Sequence, residues 1–142
     1  MTSQSPKSAA WHVTLWILQG LLALFYIGTG IFKLVMPLAT LAALWPWAGE
    51  YPTLLRFTGT TDLLGGFGLV LPALTRLRPG LTVVAALGVA ALQVGAIAFH
   101  LSRGEGANTM LNFGLLALAL LVFWGRRGKA PLAPRQARQL PA

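Results

Sequence analysis

Asp62 is the residue whose position most suggests chemistry, because it lies in a long apolar stretch of the sequence. Arg56 precedes it by six residues, and every residue between Leu63 and Pro72 is apolar or glycine. A carboxylate within a membrane span costs roughly 2.5–3.5 kcal/mol to insert, so its retention suggests a function and requires a polar partner. Asp62 is therefore the first candidate functional residue of the chain.

Further polar residues are expected to gather near Asp62 at one end of a helical bundle. At the rise of an α-helix, Asp62 lies about 9 Å deeper than Arg56. Helical spacing also brings polar and small residues onto one face of each predicted span. The candidate residues of the resulting ligand-binding pocket are Asp62, Lys33, Arg56, His100, Arg103, Asn112 and Tyr26. Lys33 or Arg56 is the expected counter-ion of Asp62.

The charged candidates also have structural explanations. Long basic side chains near span ends, such as Lys33, Arg56 and Arg103, extend to the lipid headgroups. Asp62 is too deep and too short to do so, although a structural ion pair or hydrogen bond is an alternative to a functional role. The sequence leaves both explanations open.

The uncharged candidates have structural explanations as well. His100 at a helix end can be a neutral structural histidine, and Asn108 can form the N-cap of the fourth helix. Asn112 can form a hydrogen bond to a neighbouring helix, and the glycines of the segment 65–68 are expected to allow close helix packing.

The sequence lacks the residue sets of several common chemistries. It contains no cysteine, which excludes a disulfide, a thiol redox centre and a cysteine-ligated cluster. His12 and His100 are predicted on opposite sides of the membrane, so no metal or haem site is expected. No Ser/His/Asp set is evident, the catalytic residues are unknown, and no cofactor is evident from the residues themselves.

The composition places the chain in a membrane. Of 142 residues, 56% are hydrophobic and 10% are charged, with a mean hydropathy of +0.68. A soluble domain carries about a quarter charged residues, and the apolar residues here fall in blocks near the roughly 20 residues of a transmembrane helix. The net charge of +8 comes from basic residues at block ends and in the tail. We interpret these as topology signals, and nucleic-acid binding is not expected.

Four apolar blocks predict an all-α, polytopic membrane protein with a four-transmembrane-helix bundle. The predicted spans are about 11–34, 54–74, 81–101 and 108–125, within one membrane domain over residues 11–126. Pro37 can begin a short helix, and the aromatic residues around Trp45 favour an interfacial segment. Residues 1–10 are expected to be a flexible N-terminus, and residues 127–142 a basic, disordered tail.

The basic residues also predict an orientation. Eight lie on the side of the two termini, namely Lys7, Arg76, Arg78, Arg126, Arg127, Lys129, Arg135 and Arg138; the other side has Lys33, Arg56 and Arg103, with Glu50 and Glu105. The positive-inside rule then places both termini in the cytoplasm of a multi-pass protein of the cell membrane (plasma or inner), with the pocket facing outward. Activity of an outside-only reporter fused at Ala142 would contradict this orientation.

Three segments carry a recurrent pattern: GTGIFKL at 28–34, DLLGGFGLVLP at 62–72, and HLSRGE at 100–105 with Asn112 beyond it. Together they resemble the DoxX and DoxX-like family of small four-helix membrane proteins, over residues 15–126. The family pattern usually has Glu where this chain has Asp62, a shorter acid that keeps the charge and changes its reach. Members of the family are linked to quinone-coupled thiosulfate oxidation and to membrane complexes that handle redox stress.

The resemblance implies an accessory or ligand-binding subunit of a membrane redox system, whose outer-facing pocket receives a quinone or a small sulfur compound. One alternative is a small proton-coupled transporter or permeation protein that uses Asp62. Another is a membrane enzyme for a lipid-soluble substrate, with Asp62 as acid or base and His100 as its helper. Independent catalysis is not expected. The expected partners are the lipid bilayer, redox-complex subunits, a small molecule or quinone, and further copies of the chain.

Overall fold

The computed structural model describes residues 6–135, and these form six α-helices without a strand. The helices are α1 (Pro6–Val35), α2 (Leu38–Leu44), α3 (Pro46–Glu50), α4 (Pro52–Thr75), α5 (Gly80–Ser102) and α6 (Met110–Trp124). A 3₁₀ turn at Gly106–Thr109 precedes α6 and a π-helical turn at Gly125–Lys129 follows it. Four helical segments, α1, α4, α5 and α6 with its two turns, are long and apolar enough to cross a membrane. The predicted all-α, four-span membrane fold is confirmed.

Prolines mark the starts of several helices, because the first turn needs no backbone donor at that position. Pro46 and Pro52 begin α3 and α4 in this way. Within the described residues α1 is helical from Pro6 onward, so it includes residues 6–10, which the sequence placed in a flexible N-terminus; residues 1–5 lie outside the described part of the chain. At its other end α4 stops at Arg76, whose φ of 56° is left-handed.

The four long helices alternate in direction and pack in the order α1, α4, α5, α6, with α6 returning to α1. One end of the bundle, here called the loop end, carries residues 36–51 and 103–109. The opposite end, the terminal end, carries the start of α1, the α4–α5 turn and residues 125–135. The core between them is apolar and includes Leu22, Tyr26, Leu69, Val89 and Val122. Large apolar side chains cover the outside of the bundle, as a lipid-facing surface requires.

Glycines of α4 permit its close contact with two neighbours. A Cβ at Gly66 would lie 2.7 Å from Ile27 of α1, and a Cβ at Gly65 would lie 2.7 Å from Val89 of α5. Gly68 faces α5 in the same way. Small residues let helix backbones approach closely in membranes, and the packing role predicted for these glycines is confirmed.

A cap formed by residues 37–51, comprising α2 and α3, covers the loop end. Pro37 precedes α2, as predicted. Leu41 and Ala48 of the cap are buried against Leu55 of α4, and Trp47 meets Phe99 of α5 with ring centroids 5.7 Å apart. The cap thus closes over the helix ends, while its position at a lipid interface remains a prediction.

The segment after α6 folds back on the terminal end. Residues 125–129 continue helically, so the predicted disordered tail is wrong for residues 127–129. The backbone amide of Arg135 donates to the carbonyl of Arg76 at 2.9 Å, which holds residues 130–135 over the α4–α5 turn. Residues 136–142 lie outside the described part of the chain.

Candidate functional site

A cavity of about 560 Å³ lies beneath the cap at the loop end. Its walls come from all four long helices, the cap and the loop before α6. The lining residues are Phe25, Tyr26, Thr29, Lys33, Leu44, Trp45, Pro46, Trp47, Asp62, Gln93, His100, Glu105, Asn108, Leu111 and Asn112. Five of the seven predicted pocket residues are therefore brought together here, whereas Arg56 and Arg103 are not in this wall.

Asp62 and Lys33 form an ion pair in the cavity wall. Lys33 Nζ lies 2.8 Å from Asp62 Oδ2, and the Thr29 hydroxyl donates to the same oxygen at 3.3 Å. The Asp62 side chain is 4% exposed and that of Lys33 is 17% exposed. Of the two predicted counter-ions, Lys33 is correct. Among the described residues no hydrogen bond reaches Oδ1, so this oxygen is available to a ligand or water.

Arg56 does not pair with Asp62, and the prediction of Arg56 as counter-ion is wrong. Its guanidinium donates instead to the backbone carbonyls of Lys33 and Leu34, the latter at 2.7 Å. These carbonyls belong to the last turn of α1, where backbone acceptors lack helical partners. Arg56 therefore joins α4 to the end of α1 and holds Lys33 in place from outside the cavity.

A chain of hydrogen bonds crosses the bundle below the ion pair. Asn112 of α6 donates to Gln93 of α5 at 2.7 Å, and Gln93 donates to the Tyr26 hydroxyl of α1 at 2.6 Å. The predicted interhelical bond of Asn112 is confirmed. Because Tyr26 accepts from Gln93, its own hydroxyl proton remains free to be donated.

His100 and Glu105 close the side of the cavity next to the cap. His100 Nδ1 lies 2.7 Å from Glu105 Oε2. An ionised carboxylate only accepts, so Nδ1 carries the proton and Nε2 of a neutral ring is an acceptor. Asn108 lines the cavity from the 3₁₀ turn, and its predicted N-cap role is wrong: Thr109 holds that position, without a side-chain cap.

Arg103 fastens the cap instead of lining the cavity. It makes two hydrogen bonds to Glu50 of the cap, at 2.8 and 3.0 Å, and one to Glu105 at 2.9 Å. Its guanidinium also lies over the rings of Tyr51 and Phe99. The hydrogen bonds from Arg103 lower the pKa of Glu50, those from His100 and Arg103 lower the pKa of Glu105, and the two carboxylates raise the pKa of Arg103.

These pKa shifts predict a cap that loosens in acid. Since both glutamates have a pKa below their ordinary 4.5, their stabilisation of the cap is complete above 4.5 and is lost as the pH falls through the lowered values. At neutral pH, Glu50→Gln should speed hydrogen exchange of the cap amides by about two- to fivefold, because the pair is exposed. Acid should lower the protection factors of these amides, which are corrected for the intrinsic exchange rate, by less in this variant than in the wild type; equal decreases would contradict the assignment.

A second cavity of about 460 Å³ opens between α4 and α5. It shares six lining residues with the first cavity, namely Lys33, Trp47, Asp62, Gln93, His100 and Asn112. Its rim is apolar and includes Phe57, which is 60% exposed on the lipid-facing side, together with Ala96 and Phe99. The polar site is therefore reached both beneath the cap and from the side of the bundle.

The sequence-based list of pocket residues missed several members of the site. Thr29 could have been found, because it shares a helical face with Tyr26 and Lys33. Gln93 is a buried polar residue of an apolar span, seven positions before His100 on the same face. Trp47 offered no such signal, because its place depends on how the cap folds over the bundle.

A family model described as the DoxX-like family matches residues 17–122. No curated protein and no solved structure matches the chain. The matched range includes every residue that lines the two cavities.

Proposed function

The chain belongs to the DoxX-like family, and from that premise we propose that it binds a quinone as an accessory subunit of a membrane redox system. The main observation in support of the proposal is that the two cavities at the loop end share part of their walls. Together they join a polar chamber to an apolar opening between α4 and α5. A molecule with a small polar head and an apolar tail fits that combination.

The polar chamber offers donors for the two carbonyl oxygens of a quinone ring. The Lys33 ammonium has three N–H groups, of which Asp62 takes one. The Tyr26 hydroxyl proton is free, since this oxygen accepts from Gln93. Trp45 and Phe25 add aromatic surface to the wall, against which a flat ring stacks.

The size and the side opening also support a lipid-soluble ligand. A volume of about 560 Å³ falls within the range of roughly 300–1,000 Å³ typical of small-molecule sites. The apolar rim at Phe57, Ala96 and Phe99 faces the surface that contacts lipid. An isoprenoid tail that extends through this rim therefore stays in an apolar environment and is not exposed to water.

We assign an accessory role because the sequence contains no cysteine, and thiols or cysteine-bound clusters are thus excluded as electron carriers. Electrons would come from a partner subunit in the same membrane. The residues of this chain would bind and orient the quinone and exchange protons with it. A small sulfur compound is the second ligand class that the resemblance implies.

We place the loop end at the outer face of the cell membrane, with both termini in the cytoplasm. The support is the charge distribution: the chain carries eight Lys and Arg residues at the terminal side and three at the other. In this orientation the chamber beneath the cap receives water and solutes from outside, while the opening between α4 and α5 receives ligands from the bilayer.

A proton-coupled transporter is the alternative that one observation favours, because a largely buried ionisable pair, Lys33–Asp62, lies in the wall of a water-accessible chamber. A transporter must also open to the other side. In the described residues, Leu22, Leu69 and Val122 fill the bundle towards the terminal end. Alternating access would therefore require repacking of this core.

Tryptophan fluorescence tests the quinone proposal, because Trp45 and Trp47 line the chamber. A short-tailed benzoquinone or naphthoquinone added to the protein in nanodiscs of neutral lipid should quench this fluorescence saturably. Tyr26→Phe and Asn112→Leu should each raise the dissociation constant about tenfold, since each removes a hydrogen-bonding group from the chamber wall.

Thr60→Val is the matched control, because Thr60 is exposed on α4 and bonds only the carbonyl of Arg56. It should leave the quinone dissociation constant unchanged. Quenching that does not saturate, or that Tyr26→Phe and Thr60→Val affect equally, would contradict quinone binding in the chamber. Substrate uptake driven by a pH gradient, abolished by Asp62→Asn without a change in quenching, would favour the transporter.

A further inference from the structure

Arg126 is a buried cation at the terminal end with an incomplete set of partners. It is 2% exposed. Its Nε donates to Gln19 Oε1, and its Nη1 contacts His12 Nδ1 at 3.0 Å and the carbonyl of Ala130 at 3.2 Å. The guanidinium also lies over the Trp16 ring, 5.3 Å from its centroid. Nη2 is buried and has no hydrogen-bond partner among the described residues.

No acidic side chain neutralises Arg126. The sequence contains three acidic residues, Glu50, Asp62 and Glu105, and each pairs with a cation at the loop end. Every partner of Arg126 described above is neutral unless His12 takes up a proton, which would add positive charge. A buried charge without a counter-ion is strongly destabilising, so an anion bound at this end would stabilise residues 6–135, which supply none to Arg126.

A cavity of about 360 Å³ lies next to this cation. Arg126 and the exposed Arg127 form part of its wall, together with Gly80, the first residue of α5. The start of α5 has no side-chain cap, and its dipole favours a negative group nearby, although the amides of Leu81 and Thr82 already donate to the carbonyls of Arg78 and Pro79. Thr82, in the same first turn, has a buried hydroxyl without a partner in residues 6–135.

The remaining wall of this cavity is apolar. Val83 of α5 and Leu132 of the segment after α6 line it. Leu81 and Val84, also in the first turns of α5, are apolar and 49% and 63% exposed. A charged head bound near the arginines could therefore carry an acyl chain lying along α5.

We propose that this cavity binds a phosphate group, with Arg127 as its direct ligand and Arg126 as the buried charge behind it. Arginine suits this role because its planar donors match phosphate oxygens. Two sources present this chemistry: the headgroup of an anionic phospholipid and a soluble phosphate. Basic pockets between transmembrane helices bind phospholipid headgroups in other membrane proteins. The site lies at the end of the bundle opposite the quinone chamber and is independent of that proposal.

Lipid addition to delipidated protein in neutral detergent tests this site. Dioleoylphosphatidylglycerol should raise the melting temperature and remain bound in native mass spectra. Arg127→Gln should weaken lipid binding by about tenfold or more, because a hydrogen bond to a charged group is lost. Lys129→Gln removes the same charge two residues away and outside the cavity wall, and at physiological salt it should stay within about twofold of the wild type.

Arg126→Gln adds a second readout. It removes the unneutralised charge, so its melting temperature without lipid should not fall, and the rise on adding lipid should be smaller than in the wild type, because Arg127 still binds the phosphate. If this variant does not accumulate, the comparison of Arg127→Gln with Lys129→Gln decides the matter. Stabilisation by inorganic phosphate alone supports the site with a soluble ligand. Equal stabilisation by diacylglycerol, or equal losses in Arg127→Gln and Lys129→Gln, would overturn the proposal.

Discussion

Replacing Lys33 with methionine should destabilise the protein by about 3–5 kcal/mol, because it leaves the Asp62 carboxylate buried without its cation. The two groups are 2.8 Å apart, and the Asp62 side chain is only 4% exposed. The Thr29 hydroxyl, at 3.3 Å, would be the remaining donor to this carboxylate. A single neutral hydrogen bond does not offset the desolvation of a charge.

Asp62→Asn should cost less than Lys33→Met, although it breaks the same pair. The Lys33 side chain is 17% exposed and has a flexible stem, so its ammonium can turn towards water in the chamber. The asparagine also keeps an oxygen for Thr29. The order of the two single variants therefore follows from the difference in exposure between the two partners.

The double variant Lys33→Met/Asp62→Asn completes the thermodynamic cycle and serves as the control. It should recover most of the stability that Lys33→Met loses, since no unpaired charge remains. Unfolding by steric trapping in bicelles, or by a denaturing detergent, measures all three variants. If the double variant loses as much free energy of unfolding as the two single variants combined, Lys33 and Asp62 are not energetically coupled, contrary to what their distance implies.

The same double variant separates a structural from a functional Asp62. If it folds normally but no longer shows quinone-dependent quenching, the ion pair is required for quinone binding. If it folds and binds as the wild type does, the pair is a packing feature that apolar or neutral groups can replace.

The sequence predicted those features that depend on one helix or one pair of helices. The apolar blocks gave four spans because a bilayer leaves few other solutions for the backbone. The face shared by Tyr26, Gly30 and Lys33 follows from helical spacing alone. Asp62 and Gly59 share a face of α4 in the same way, so the meeting of Lys33 with Asp62 could be expected.

The sequence could not predict contacts that depend on how the ends of the bundle close. Arg56 and Lys33 are both cations near Asp62, and only the rotation of α4 against α1 decides which of them reaches it. Arg103 and Glu50 pair across 53 positions, because the cap folds back over α5. No local pattern encodes either outcome.

Arg126 shows the limit of interpreting charges as topology signals. The charge pattern predicts Arg126 as one of the eight basic residues on the side of the termini, yet its side chain is buried. A Cβ at the preceding residue, Gly125, would lie 2.6 Å from Leu15 of α1, so the turn passes very close to α1. This close approach carries Arg126 inside the bundle, where hydropathy alone would not place a cation.

Gly30→Ala should destabilise the protein by about 1–3 kcal/mol, because the added methyl group overpacks the contact between α1 and α4. Its Cβ would lie 2.8 Å from the carbonyl oxygen of Gly59 and 2.8 Å from Leu63 Cγ. The Leu63 side chain can move, but the Gly59 carbonyl belongs to the backbone of α4. The helices must therefore separate, which also lengthens the contact between Lys33 and Asp62.

Gly28→Ala is the matched control on the same helix, since no atom lies within 4 Å of a Cβ at Gly28. It should leave stability unchanged or raise it by up to about 1 kcal/mol, because alanine favours the helix over glycine. The same unfolding measurement compares the two variants, and Gly30→Ala should also weaken quinone quenching while Gly28→Ala does not. Equal effects of the two substitutions would show that helix propensity, not the approach of α4, determines the role of glycine in α1. If only Gly30→Ala loses stability and quinone quenching, the geometry of the Lys33–Asp62 ion pair depends on the close approach of the α1 and α4 backbones.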